Sequence, residues 1–295
     1  MDRRLKTPRV RRLIQLYAAL LYNAHLKGFA KGQIYTGPLK NLCVPGLNCY
    51  SCPGAVAACP LGALQNAIAS AADRPAFYVV GVLLVFGLLL GRVICGFLCP
   101  FGLIQELLHK IPTKKVKKSP LTRRISRIKY VLLVLLVVVI PLYFAFRRVP
   151  LPAFCKYVCP AGTLEGAVLL LLHPANTALR SLIGGLFWWK LWVLLAVLLG
   201  CVFVYRAFCR FLCPLGALYG LLSKLALLGV RVDPSRCTDC GACVSQCPTD
   251  IRRVGDAECV HCMHCITVCP TKAISFRAGK LVLHGPELPE RRRHS

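Results

Sequence analysis

Residues 208–220 read Phe208-Cys209-Arg210-Phe211-Leu212-Cys213-Pro214-Leu215-Gly216-Ala217-Leu218-Tyr219-Gly220. The stretch closes a long apolar run and opens a cysteine-dense tail. Its ending recurs three times, as Cys59-Pro-Leu-Gly-Ala-Leu, Cys99-Pro-Phe-Gly-Leu-Ile and Cys159-Pro-Ala-Gly-Thr-Leu. Like Cys213, which follows Cys209, two of these have a cysteine four residues earlier, Cys95 and Cys155. Internal repetition of this kind sets an architecture.

Proline is favoured at the first turn of a helix, where its missing N–H costs nothing, so each Cys-Pro places a cysteine just ahead of a helix. The unpaired N–H groups at that end favour negative charge, such as a thiolate-ligated iron–sulfur cluster. Two cysteines four apart supply half of a four-thiolate site, and two repeats complete one. A single motif of this kind would read as a small buried structural cysteine. Four with the same Cys-Pro-x-Gly ending read as ligands.

The chain has 295 residues, is 56% hydrophobic, and has a mean hydropathy of +0.60, which points to an α-helical membrane protein. Its net charge of +27 reads as cytoplasmic loops and contact with lipid headgroups. No nucleic-acid motif or aromatic-basic platform accompanies that charge, so nucleic acid is excluded as a partner. The nineteen cysteines fall in metal-ligand spacings, which argues against disulfides and for assembly in a reducing compartment.

Four spans are expected, at about 13–29, 76–94, 130–146 and 186–205. Gln15, Asn23 and His25 interrupt the first, and polar groups at membrane depth face protein or a site. Residues 110–129 hold nine Lys/Arg and no acid, which places this loop and the basic N-terminus in the cytoplasm. Alternation then puts Cys49, Cys52, Cys59, Cys155 and Cys159 on the outer side, with Cys43. Cys95, Cys99, Cys209 and Cys213 fall on the inner side. Residues 1–110 and 127–228 form two parallel repeats of span, outer Cys-Pro, span, inner Cys-Pro, related by an axis along the membrane normal. The inner site is then Cys95, Cys99, Cys209 and Cys213. At the outer site Ala55 stands where a cysteine is expected. The expected set is Cys52, Cys59, Cys155 and Cys159, with Cys49 the rival to Cys52. Cys43 is unassigned and Cys201 reads as structural. The short apolar helices after each Cys-Pro are too brief to span and are expected to be re-entrant.

The tail carries Cys237-x2-Cys240-x2-Cys243-x3-Cys247-Pro248 and then Cys259-x2-Cys262-x2-Cys265-x3-Cys269-Pro270. This is the bacterial two-cluster ferredoxin run, in which the fourth cysteine of each run ligates the other cluster. Cys237, Cys240, Cys243 and Cys269 form one set; Cys259, Cys262, Cys265 and Cys247 form the second. Two zinc sites would not need the doubled spacing. His261 and His264, between ligands, are expected to be exposed. The domains are 1–228, a transmembrane iron–sulfur part; 229–280, an α+β double ferredoxin; and 281–295, a basic flexible tail ending in Arg291-Arg292-Arg293.

Paired Cys-x3-Cys-Pro motifs in a membrane domain with a double ferredoxin tail resemble the polyferredoxin membrane proteins, a family of the NapH, YccM and NosR-membrane-domain type. The resemblance runs from Leu13 to about Phe276 and implies membrane electron transfer. The chain departs from it at Cys49-Tyr-Ser-Cys52-Pro and carries no appended flavin domain.

No nucleophile–base pair, phosphate-binding loop or paired catalytic carboxylates is present. The expectation is an electron carrier or oxidoreductase subunit of the inner membrane with four 4Fe-4S clusters. A cytoplasmic partner such as ferredoxin, flavodoxin or a redox enzyme subunit would meet the tail, and a further redox partner the outer face. Two alternatives stand beside it: a quinol dehydrogenase with a quinone near the outer site, and a maturation factor reducing a metal or disulfide outside the cytoplasm.

Overall fold

In the computed structural model of the chain, residues 7–70, 77–116, 118–181, 183–279 and 281–285 are described, and the basic run 291–293 lies outside them. Three Cys-Pro dipeptides open helices at their prolines: Pro60–Ala69, Pro100–His109 and Pro214–Leu222. Cys59, Cys99 and Cys213 sit at the cap in extended backbone, as residues preceding proline must. The fourth, at Cys159, leads into the apolar helix Gly162–Leu172.

Two helices are long and apolar enough to cross a membrane, Pro120–Phe146 and Gly185–Phe203. Only 28% and 17% of their apolar windows are buried, unlike the core helix of a soluble domain, and Val131, Leu135, Trp192 and Leu199 face outward. In the first helix the buried residues Lys129, Leu133, Val137, Pro141 and Ala145 recur every four positions. Such a stripe drifts around an ordinary turn of 3.6 residues. Wider π-type turns over 133–139 keep it on one face.

The other two expected spans take a different form. Residues 13–29 divide into helices Thr7–Tyr22 and Leu26–Lys31, with Asn23 Nδ2 turned back onto the Ala19 carbonyl and onto Asn48 Oδ1. Residues 77–89 form a helix of 13 residues, which stops before Gly91 at φ +50° and is followed by the short helix Val93–Phe97. At 1.5 Å per residue, 13 residues reach about 20 Å, short of a hydrocarbon layer of about 30 Å.

One apolar cluster of the interior counts Cys59, Cys95, Cys99, Cys159, Cys209 and Cys213 among its members, beside Leu61, Phe101, Phe154, Phe208 and Leu215. The C-terminal ferredoxin-like region adds an antiparallel sheet in the order β1 (Leu228–Val232), β2 (Ile274–Ala278), β3 (Leu281–His284). Val230 pairs with Phe276 and Val232 with Ile274. The Val230, Ile274 and Phe276 side chains pack with Met263 onto Val93 and Phe97, the turn carrying Cys95; the Phe97 and Phe276 rings lie 5.8 Å apart. The sheet's apolar face is thus seated on the inner Cys-x3-Cys-Pro turn.

Candidate iron–sulfur sites

At the inner turns, Cys95, Cys99, Cys209 and Cys213 are buried electrostatic neighbours of one another. The two pairs come from chain segments more than a hundred residues apart. Pro100 and Pro214 start helices directly behind Cys99 and Cys213, and the Gly216 N–H donates to Cys213 Sγ at 3.3 Å. Gly102 allows the close approach of the facing turn, because a Cβ there would lie 3.1 Å from the Cys95 carbonyl oxygen.

Buried charge surrounds these thiols. Arg92 donates from Nε to the Gly216 carbonyl at 3.0 Å and lies 3.5 Å from Glu258. Arg206 donates to the Cys95 carbonyl and, at 2.9 Å, to Glu106. Arg11 donates to the Gly96 carbonyl and to Glu106, both at 2.9 Å. Gln15 Nε2 reaches the Cys99 carbonyl at 3.4 Å, so this polar residue of the first apolar segment faces protein. A buried cation needs an anion nearby. Glu106 and Glu258 supply two, and a ligated cluster would supply more.

In the other two copies of the repeat, Cys159 is the neighbour of Cys155, Cys59 and Cys49. The Gly162 N–H donates to Cys159 Sγ at 3.4 Å, and a Cβ on Gly162 would be 3.8 Å from both Cys159 and Cys49 Sγ. Cys52 Sγ donates to Asn23 Oδ1 at 3.4 Å and is itself a neighbour of Cys49. Cys43 forms a backbone bridge with Ala58, and Cys201 Sγ lies 3.6 Å from Gln105 Oε1. His25 Nδ1 is 3.2 Å from the Pro53 carbonyl oxygen.

In the ferredoxin-like region Cys243 neighbours Cys237 and Cys269, and Cys259 neighbours Cys262 and Cys247. Cys265 neighbours Cys259, Cys262, Cys247 and Cys243, so the first run's fourth cysteine stands with the second run's first three. A cavity of about 690 Å³ is lined by Cys237, Cys240, Cys243 and Cys269. Burial pushes the Cys259 thiol up to about 12, so iron must displace its proton. Burial also acts to raise Cys269, but hydrogen bonds from the Thr271 hydroxyl and nearby backbone N–H groups, including Ala273 at 3.3 Å, bring it below the ordinary value. His264 is exposed; His261 is not. It is 3% exposed, accepts the Val230 N–H at Nδ1 (2.9 Å), and is pushed down to about 4 by burial and by Arg92 and Arg231. Sequence spacing between ligands says nothing of the sheet that closes over this ring.

The donor sets fit 4Fe-4S clusters. All nineteen cysteines are free. Backbone N–H groups point at several sulfurs, as thiolates require. Among the described residues, no three His, Cys, Asp or Glu side chains close on a point as the ligands of a single ion do.

A 4Fe-4S binding domain family matches residues 75–119, 129–174 and 183–232, and a second 4Fe-4S binding domain family matches 230–253. The chain thus carries 4Fe-4S binding domains and is similar to ferredoxin-type electron-transport proteins. It is 33% identical to the methylamine utilization ferredoxin-type protein MauN of Paracoccus denitrificans, over 58% of this chain and 54% of that protein. It is 31% identical to an uncharacterized protein of Methanocaldococcus jannaschii, over 58% of this chain and 64% of the relative. The regulatory protein NosR of Pseudomonas aeruginosa is 29% identical over 54% of this chain and 21% of its own length. The chain thus spans less than two thirds of each of these relatives. No solved structure matches it.

Reading the sequence for cysteines missed the residues around them: Arg11, Arg92, Arg206, Glu106, Gln65, Gln105 and Glu165. The signal was available as position within the repeat. The sixth residue after the second cysteine is Gln65, Gln105, Glu165 or Tyr219 in the four copies, a polar or hydroxyl-bearing residue each time.

Proposed function

We propose that this chain is a membrane electron-transfer protein that passes electrons through four 4Fe-4S clusters, between a cytoplasmic ferredoxin-type domain and the outer side of the inner membrane. What supports the reading is that Cys95, Cys99, Cys209 and Cys213 are neighbours, that Cys59, Cys155 and Cys49 neighbour Cys159, and that the cysteines of the two ferredoxin runs lie beside one another. In this reading Cys49 takes the place in the outer set that the sequence assigned to Cys52, because Cys49 shares the Cys159 neighbourhood and Cys52 is bound to Asn23. A 4Fe-4S cluster, when bound, supplies one-electron storage, and its potential responds to burial, hydrogen bonds and charge. Arg92, Arg206, Arg11 and Lys129 compensate the anionic inner set and favour its reduced form. Val93, Phe97, Val230 and Phe276 hold the ferredoxin region on that set and exclude water from the junction.

In this reading the segment 77–97, in which helix 77–89 is extended by Val93–Phe97, and the broken segment 7–31 complete four membrane passages, joined by Cys-Pro helices that re-enter. A redox carrier on the cytoplasmic side meets the tail, and a second partner meets the outer set. Quinol oxidation at the outer set is the second reading. Glu165 favours it, because a carboxylate beside the outer thiols, accepting the Cys49 N–H at 2.7 Å, is placed to take a proton.

The test is iron and sulfide analysis of anaerobically purified protein, with a spectroscopic redox titration run with and without quinol. About sixteen irons per chain are expected, four for each cluster. A yield of about eight, with ferredoxin-type signals alone, overturns the membrane sites. Reduction of the outer signal by quinol selects the second reading.

A further inference from the structure

Gln65 and Gln105 occupy the same place in two copies of the repeat, and each makes the same contacts. Gln65 Nε2 donates to the Leu61 carbonyl at 3.2 Å and to Cys155 Sγ at 3.1 Å, while its Oε1 accepts the Phe154 N–H at 2.9 Å. Gln105 Nε2 donates to the Phe101 carbonyl at 3.3 Å and to Cys209 Sγ at 3.0 Å. Its Oε1 accepts the N–H groups of Phe208 at 3.1 Å and Cys209 at 3.3 Å. Both side chains are fully buried.

The orientation of each carboxamide is dictated by chemistry. A backbone N–H only donates, so the atom facing Phe154 or Phe208 must be oxygen. The nitrogen then faces the carbonyl one turn back and the sulfur. A neutral thiol is a weak acceptor, whereas a thiolate accepts a strong, charge-assisted hydrogen bond. Each amide is therefore arranged for a cysteine that has lost its proton. In both copies the glutamine belongs to the first half of the chain. The cysteine belongs to the second half and is the leading cysteine of its Cys-x3-Cys pair.

We infer that Gln65 and Gln105 are positioning residues that donate N–H···S hydrogen bonds to the cluster-ligating sulfurs Cys155 and Cys209 and thereby raise the reduction potentials of the outer and inner clusters. A hydrogen bond to a ligating sulfur favours the reduced, more electron-rich form. The other two copies depart from this in an instructive way. Glu165 has no amide donor and accepts the Cys49 N–H, and the Tyr219 hydroxyl donates to the Pro45 carbonyl at 3.0 Å. Each half of the repeat thus tethers the other, but only the first half's glutamines donate to sulfur. The two clusters are held asymmetrically, with the donor always on the second half's leading cysteine.

The inference rests on Cys155 and Cys209 being cluster ligands. Iron analysis of the parent separates the two questions, because a parent with only ferredoxin-type clusters defeats that reading rather than this one. The experiment replaces each glutamine by methionine, of similar volume and without a donor, in the full chain, and follows both membrane clusters by spectroscopic redox titration. Gln105→Met should move the inner signal to lower potential and leave the outer unmoved; Gln65→Met should do the reverse. The reduced-to-oxidised ratio of the affected cluster should fall about tenfold at fixed ambient potential, which is about 59 mV for one electron. Gln→His, which retains a ring N–H, serves as the conservative rescue where a methionine variant fails to assemble its cluster. An assembled methionine variant with unchanged potential overturns the inference, and so does loss of the cluster from both the methionine and histidine variants. Loss with methionine and retention with histidine supports it.

Discussion

Gly96 and Val260 are in backbone contact: a Cβ built on Gly96 would lie 2.4 Å from the Val260 carbonyl oxygen. Each of these residues directly follows a cysteine, Cys95 of the inner set and Cys259 of the ferredoxin region. A backbone contact between the two regions therefore lies beside a candidate ligand of each. Lys129 and Arg92 flank the contact with ion pairs to Glu258, and Arg210 pairs with Asp250.

Gly96→Ala should force this junction apart. A methyl group cannot fit against a carbonyl at that distance, and such overpacking typically costs about 1–3 kcal/mol. We expect full iron content, with slower reduction of the inner cluster by pre-reduced tail clusters in stopped-flow measurements. An unchanged transfer rate would place the electron path elsewhere.

The identity of the fourth outer ligand is separable by substitution. Cys49→Ser should lose about four irons and one cluster signal. Cys52→Ser should keep both, since its sulfur is engaged with Asn23. The opposite outcome restores Cys52 to the set.

Orientation follows from the basic loop. Reporter fusions at Lys118 and Pro152 flank the apolar helix that ends at Phe146, and they should report opposite compartments, Lys118 on the cytoplasmic side. A shared compartment would remove that helix as a membrane passage and regroup the inner and outer cysteines.

Cys213→Ala removes one of four inner thiolates. The ferredoxin cysteines form separate sets, so the tail should still accept electrons from a cytoplasmic donor. Transfer to an acceptor trapped inside sealed vesicles should fall to background, with about four irons lost. Transfer at the parent's rate, with the inner cluster shown to be absent, would exclude the inner site from the path.

Much of this protein is local and therefore legible in one dimension. Proline fixes the first turn of a helix, so Cys59, Cys99 and Cys213 announce their helix caps in the sequence itself. The ferredoxin pairing is equally plain, because the spacing of Cys237 to Cys247 and of Cys259 to Cys269 leaves each fourth cysteine to the other run. The apolar runs expected at 130–146 and 186–205 do lie in long helices, 120–146 and 185–203, although the first begins within the basic segment read as a loop.

Tertiary structure decided what depends on contacts between distant segments. The sequence favoured Cys52 over Cys49 for the outer set, whereas in the fold the Cys49 N–H meets Glu165 and Cys52 Sγ meets Asn23. His261 looked exposed because its neighbours are ligands, but β1 covers it through the Val230 N–H. Asn23 and Gly91 limit helices whose apolar runs promised full passages, since a side-chain bond to the backbone and a left-handed turn act against hydropathy. Gln65 and Gln105 carried no signal as lone polar residues. Their meaning came from the sulfurs that the fold places 3.1 and 3.0 Å away, 90 and 104 residues along the chain.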